Sequence, residues 1–195
     1  MRLLPSALQK SLDILPAAPY VFVMYAQPKQ IKSVTNSQLT YVVGDATRPI
    51  GDGYKIIVHC CNDIGAWGSG FVLSLSQRWR EPERQYRGWA RHAPTTFPFK
   101  LGQVQFVWVE KDIEVANLIG QHGIRSQNRL PPIRYSAIRE GFDRIATYAL
   151  NKGASVHMPK LGSERAGGDW NLVADIVARH LVARGISVTV YNYFK

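Results

Sequence analysis

The sequence predicts an α/β layer fold with a mixed, mostly buried sheet, and three observations carry that prediction. Short β-rich runs alternate with helical apolar stripes over most of the chain. Glycine-rich turns repeatedly stand between a run and the stripe that follows it. Apolar residues make up 46% of the chain and charged residues 19%, the proportions of a globular domain rather than a disordered one.

Residues 1–38 read differently from the rest. Leu4, Leu8, Leu12 and Leu15 recur at helical spacing before Pro16 and Pro19 interrupt them. We read this stretch as an N-terminal extension of unknown role and 39–195 as the domain. Within the domain, Thr40–Val43 is a short strand closed by Gly44-Asp45, and Lys55–Cys60 is the next. Gly65 to Gly70 then opens a helix carrying Phe71, Val72, Leu75 and Trp79, expected to break at Pro82, and Tyr86 and Trp89 suggest a second short helix. Val104–Val109 and Glu114–Ile119 read as strands joined by a turn at Lys111-Asp112. A long helix is expected from near Pro132, because Ile138, Phe142, Ile145 and Ala149 recur at i, i+4, i+7 and i+11, with Gly153 as its C-cap. Ser155–Met158 is a strand ending at Pro159. A last helix bears Leu172, Val173, Ile176, Val177, His180 and Leu181 and ends at Gly185, and Ser187–Tyr191 closes the chain as a strand.

No apolar run approaches the roughly 20 residues a membrane span needs. Pro5, Gln9, Lys10 and Asp13 break up any secretory core behind the initial Met-Arg-Leu-Leu. Cys60 and Cys61 are adjacent, so in a strand they point to opposite faces and do not pair. These features predict a cytoplasmic protein with no membrane partner, and a monomer is expected. No ligand spacing for a metal is present, and no cofactor is expected. The net charge of +10 favours a polyanionic partner, either nucleic acid or a diphosphate, although the basic residues are scattered and no basic helix is evident.

Ligands of open α/β sheets bind beyond the carboxyl ends of strands. Four such ends carry candidate residues. After the first strand, Asp45 in Gly44-Asp45-Ala46-Thr47 either accepts from an exocyclic amine or caps the following turn. After the second, the His59–Phe71 loop places Gly65, Gly68 and Gly70 just before a helix, where backbone N–H groups approach a phosphate. It is neither a Walker loop nor the dinucleotide fingerprint. A third loop, Pro159 to Trp170, again joins strand to helix through small residues, with Asp169 or Asn171 near the N-cap, and two such loops can clamp a pyrophosphate from both sides. In Ile119-Gly120-Gln121-His122-Gly123, His122 is a candidate general acid or base near neutral pH. His59, inside a β run, reads as a hydrogen-bonded core residue, and His92, His157 and His180 show no usable pairing.

From about Leu39 onward the chain resembles the macro domain family. The resemblance rests on Gly44-Asp45-Ala46-Thr47, the His59–Phe71 loop, Ala116-Asn117-Leu118-Ile119-Gly120-Gln121-His122-Gly123, and Met158 through Trp170. It is nearest to the branch of terminal ADP-ribose protein glycohydrolases and ADP-ribose 1''-phosphate phosphatases. The resemblance implies a three-layer α/β/α sandwich with a mixed central sheet and ADP-ribose in a cleft across the strand ends. It implies that Asp45, with Ala46 beside it, holds the adenine amine. Gly68, Ser69, Gly70 and Phe71 would line the diphosphate from one side, and Gly162, Ser163, Glu164, Arg165 and Ala166 would close from the other. Asn62 and Asp63 would face the distal ribose, with Gln121 and His122 nearby.

The implied partner is ADP-ribose or an ADP-ribosylated protein, with ADP-ribosylated nucleic acid left open by the charge. The implied activity is hydrolysis of an ADP-ribosyl linkage, in the first place mono-ADP-ribose on an acidic side chain. The alternatives are a non-catalytic ADP-ribose reader and an ADP-ribose 1''-phosphate phosphatase. Two departures bear on mechanism. Where some glycohydrolases of the branch place a lysine nucleophile and an aspartate, this chain has Gln121 and Ala166, neither of which supports a covalent route. Glu164 stands where the family usually has glycine, with Lys160 and Arg165 near enough in sequence to offset its charge.

Overall fold

The computed structural model describes residues 38–163 and 166–192. The expected extension at 1–38 lies outside them apart from Gln38. Six strands, β1 (Leu39–Val43), β2 (Lys55–Asn62), β3 (Val104–Glu110), β4 (Ile113–Gln121), β5 (Ser155–Pro159) and β6 (Val188–Asn192), form one sheet in the order β1-β6-β5-β2-β4-β3. Every neighbouring pair is parallel except β3 with β4, so the sheet is mixed as its sequence predicts.

Alternation along the strands divides the core in two. On one face Ile56, Val58 and Leu118 pack against Ile138, Phe142 and Ile145 of α3 (Tyr135–Lys152) and Val173 and Val177 of α4 (Trp170–His180). On the other, Ile57, Val115 and Ile119 pack against Leu75 of α1 (Phe71–Arg78) and Tyr86 and Trp89 of α2 (Glu81–His92). The result is an α/β/α sandwich. Cys60 and Cys61 fall on opposite faces as free thiols, and burial pushes the Cys60 thiol up to about 12, which makes it inert. Among the described residues no helix is long and apolar enough to cross a membrane.

Helix α3 lies against β4 at Gly141, where any Cβ would overlap the buried Leu118 side chain. Its C-terminus closes through Gly153 in the left-handed region, φ 62°, with its N–H on the last-turn carbonyls.

The structure corrects several boundaries. The first helix ends at Arg78 rather than at Pro82, with Trp79 N–H bonded to Leu75 O at 2.7 Å. Pro82 is instead in the first turn of α2, where its missing N–H is no loss. Helix α3 starts at Tyr135 because Pro132–Arg134 runs extended alongside the end of β4. There His122 N–H donates to Pro132 O and Arg134 N–H to Gly120 O, both at 2.8 Å. Strands β2 and β4 reach Asn62 and Gln121, so two residues expected in loops are strand ends. Leu172 points outward, and a 3-10 turn at Val182–Arg184 separates α4 from Gly185.

Two histidines read as unpaired have partners. His180 meets Asp143 at 2.8 Å. His157 is buried between Ser155 Oγ (2.9 Å) and Tyr191 Oη (3.0 Å), and burial lowers its pKa to about 4. Tyr191 Oη in turn accepts from Ile50 N–H at 2.9 Å, which ties the segment after β1 to the sheet.

Candidate functional site

Strands β5 and β2 are neighbours and parallel, yet the chain leaves them toward opposite faces, β2 to α1 and β5 to α4. Such a switch point opens a crevice at the carboxyl ends of the strands. The loops after β1, β2, β4 and β5 all emerge at that end of the sheet.

The loop after β2 is built on Asn62. Its Oδ1 accepts from Ile64 N–H (3.2 Å) and Ala66 N–H (2.9 Å), and its Nδ2 donates to Ala66 O (2.7 Å). The Tyr86 hydroxyl donates to the Asn62 backbone carbonyl from below. The buried amide is thus turned into its own loop and shapes it, rather than facing the crevice as a free group.

A closed ring of hydrogen bonds holds the next residues. Trp67 Nε1 donates to Ser76 Oγ (2.9 Å), and Ser76 donates to Glu83 Oε2 (2.9 Å). Glu83 Oε1 accepts from Arg87 Nε (2.8 Å), and Arg87 returns to Trp67 O (2.8 Å). Beyond this anchored tryptophan Gly68, Ser69 and Gly70 are exposed, and Gly70, at φ 76° and ψ −147°, is the N-cap of α1. That conformation belongs to glycine. The first turn of α1 contains no acidic side chain, so no carboxylate of its own offsets the positive end of the helix.

The β5 loop is the opposing wall. Gly162 (φ 74°) and Gly167 (φ 66°) turn it, and Gly168 N–H closes it onto Gly162 O at 2.9 Å. Ser163 Oγ donates to Lys160 O at 2.9 Å, and the buried Ala166 accepts from Ile133 N–H at 3.3 Å. Glu164 and Arg165 lie outside the described residues. Asp169 proves to be the cap of α4, accepting from Asn171 N–H at 2.8 Å.

At the end of β4 the structure brings together Asp63 and His122, 59 positions apart. Asp63 N–H donates to Gln121 O at 2.9 Å. Its Oδ1 accepts from Gly123 N–H at 2.8 Å, and its Oδ2 lies 2.7 Å from His122 Nδ1. The carboxylate is sheltered while the imidazole is half exposed. A neutral His122 therefore donates Nδ1–H to Asp63 and presents the Nε2 lone pair outward. Gln121 itself is half-buried, and its side chain meets the Cys60 thiol.

Asp45 does cap its turn, since its two oxygens accept from Thr47 N–H and Thr47 Oγ1, each at 2.8 Å. Ala46 beside it is buried. His59 is a core residue, 2.6 Å from Asn117 Oδ1, and burial lowers its pKa to about 4. Among the described residues no cluster of His, Cys, Asp and Glu could hold a metal ion. The sequence reading missed Tyr86, Ser76, Glu83 and Arg87 as supports of the β2 loop. Only the apolar stripe of α2 was legible there, not the polar side chains that reach from it.

No protein-family model matches the chain. It is similar to a protein of unknown function from Bacteroides thetaiotaomicron, at 48% identity and a TM-score of 0.78 over 82% of this chain and 100% of that one. A macrodomain protein from Streptomyces coelicolor is 46% identical, with a TM-score of 0.71 over 80% of this chain and 100% of that one. Thermosipho africanus DarTG, in complex with ADP-ribose, shares the fold at 15% identity and a TM-score of 0.56 over 70% of this chain and 37% of that one.

Among curated proteins, the Chromodomain-helicase-DNA-binding protein 1-like of Danio rerio is 33% identical over 167 residues, 81% of this chain and 16% of that protein. The chain thus spans about a sixth of that relative's length. An ADP-ribose 1''-phosphate phosphatase from Saccharomyces cerevisiae (strain YJM789) is 36% identical over 50 residues, 26% of this chain and 28% of that protein.

Proposed function

The chain belongs to the macrodomain family, and on that premise we propose that it binds ADP-ribose across the strand ends and hydrolyses an ADP-ribosyl linkage to an acidic side chain. The observation that carries the hydrolytic half is the Asp63–His122 pair, held at 2.7 Å beside the two glycine loops. In this reading the diphosphate lies between Gly68–Phe71 and Gly162–Ala166, with Asp45 and Ala46 at the adenine end and the distal ribose beside His122. The remote diphosphate then supplies binding energy that aligns the reacting bond.

Water near His122 gives a proton to Nε2, and its oxygen attacks either the anomeric carbon or the ester carbonyl. By either route the bond between ribose and acyl group is broken, one product is ADP-ribose with a free hydroxyl, and the other is the restored carboxylate. The imidazolium then returns its proton to solvent. Asp63 orients the ring and stabilises the imidazolium, and Asn62 shapes the loop that carries Asp63. Gln121 positions Asp63 through its backbone carbonyl.

A second reading, an ADP-ribose reader without turnover, is favoured by Gln121 and Ala166, which lack the groups a covalent route requires. Release of free ADP-ribose from a protein mono-ADP-ribosylated on glutamate separates the two. The wild type is expected to release it, and His122→Ala to lower the rate by about 10²- to 10⁴-fold while keeping ADP-ribose affinity. Binding without release by the wild type would establish the reader instead. Release of inorganic phosphate from ADP-ribose 1''-phosphate, with no action on modified protein, would establish the phosphatase.

A further inference from the structure

Helix α2 carries a line of arginines of which the ADP-ribose reading uses only Arg87, through its bond to Trp67 O. Arg80 at its N-cap, then Arg84, Arg87 and Arg91, stand at i, i+4, i+7 and i+11. At 3.6 residues per turn they fall within roughly 60° of one another, on the side opposite the buried Pro82, Tyr86 and Trp89. With Ser76 and Glu83 they line a single groove. We propose that this groove is a docking track for the phosphodiester backbone of a nucleic-acid strand.

Five features argue for that occupant. All four cations are arginines and none is a lysine, and the planar forks of Arg80 and Arg91 match phosphate oxygens two at a time. They repeat along a line at the spacing of about 5–6 Å that separates side chains one helical turn apart, which suits a linear polyanion better than a lone anion. Glu81 holds Arg84 and Glu83 holds Arg87 in ion pairs, and Arg80 and Arg91 leave the stripe net positive. Arg80 and Arg91 are exposed and form no ion pair among the described residues. The whole chain adds a net charge of +10.

A lipid surface is the poorer fit, because a helix that binds one needs large apolar side chains flanking its basic stripe. Here the flanking positions are Glu83, Gly88 and Ala90. The track also adjoins the β2 loop directly. Arg87 bonds to Trp67 O at 2.8 Å, and a Cβ on Gly65 would sit 2.8 Å from that of Ala90. The inference does not rest on hydrolysis, since Arg80 and Arg91 take no part in it.

The test is the anisotropy of a labelled single-stranded oligonucleotide of about 20 nucleotides, longer than typical single-strand sites, titrated with the full chain at salt from about 50 to about 200 mM. The Arg80→Ala/Arg91→Ala variant is expected to bind at least about tenfold more weakly at low salt. Its slope of log affinity against log salt should fall by about 1.4, about 0.7 for each lost phosphate contact. The Arg80→Lys/Arg91→Lys variant keeps the charge and should restore that slope, with an unchanged melting temperature showing that the helix is intact. Three results overturn the proposal: no binding by the wild type at low salt, equal affinity and slope in the alanine variant, or displacement by polyglutamate or anionic vesicles as effective as by unlabelled oligonucleotide.

Discussion

Both carboxylate oxygens of Asp63 are engaged by N–H donors, one from Gly123 and one from His122, and this defines what a substitution there does. Asn at position 63 keeps its oxygen on Gly123 N–H and turns its amino group to His122, so Nδ1 becomes the acceptor and the ring proton moves to Nε2. Asp63→Asn is therefore expected to lower kcat for ADP-ribose release by at least about 10²-fold with little change in ADP-ribose affinity, because a protonated Nε2 cannot take a proton from water. Steady-state kinetics with calorimetric binding would check the split. An equal fall in affinity would show that Asp63 holds ligand rather than histidine. Gly70 is a second residue whose backbone decides the outcome, with φ 76° and ψ −147°. Gly70→Glu adds both strain and a carboxylate at the N-terminus of α1, and it is expected to abolish ADP-ribose binding in a folded protein. Unchanged affinity would remove the β2 loop from the diphosphate site.

Among the elements, two helical glycines have opposite reasons for being glycine. In α3, Gly141 lets the helix backbone rest on Leu118, which is fully buried and has no room to retreat. Gly141→Ala is expected to destabilise the fold by about 1–3 kcal/mol through overpacking. In α2, a Cβ on Gly88 meets nothing within 4 Å, so Gly88→Ala is expected to stabilise by about 0.4–1 kcal/mol through helix propensity and a less flexible unfolded chain. Thermal or urea unfolding of the two variants should move in opposite directions. A common direction would mean that helix propensity, not the α3–β4 contact, governs both sites. The arginine track belongs to this scale as well. It escapes a reading of the sequence because Glu81 and Glu83 interleave with it, and because Pro82 reads as a break rather than as the first turn of a helix.

For the molecule as a whole, the buried histidines set an acid limit. His59 and His157, on β2 and β5, are held near pKa 4 by burial against an ordinary value of about 6.5. The unfolded chain therefore takes up protons that the fold refuses between those values. Stability is complete above about pH 6.5 and declines as pH falls toward 4, by up to about 1.4 kcal/mol per pH unit for each histidine. Urea midpoints at about pH 7 and about pH 5 should show the decline. A flat profile across that window would mean that these rings find a way to be charged inside the fold. Because the two residues stand on neighbouring strands of one sheet, the loss is expected as a single cooperative transition.

The order of strands and helices, the opposite facing of Cys60 and Cys61, and the glycine turns around the crevice are all determined by the sequence itself. Each follows from local periodicity or from a backbone conformation a single residue must adopt. Asp45 remained undecided between ligand and cap because both roles have the same local signature, and its bonds to Thr47 appear only in the folded turn. The pairing of Asp63 with His122 was decided by tertiary structure alone. It requires β2 and β4 to lie side by side in parallel, with a register shift that sets Asn62 opposite Gln121. The ring from Trp67 through Ser76, Glu83 and Arg87 likewise exists only once α1 and α2 pack on the sheet. Periodicity specifies which face of an element is buried. It carries no information about which distant element covers that face, because such a contact has no energy until the sheet has formed.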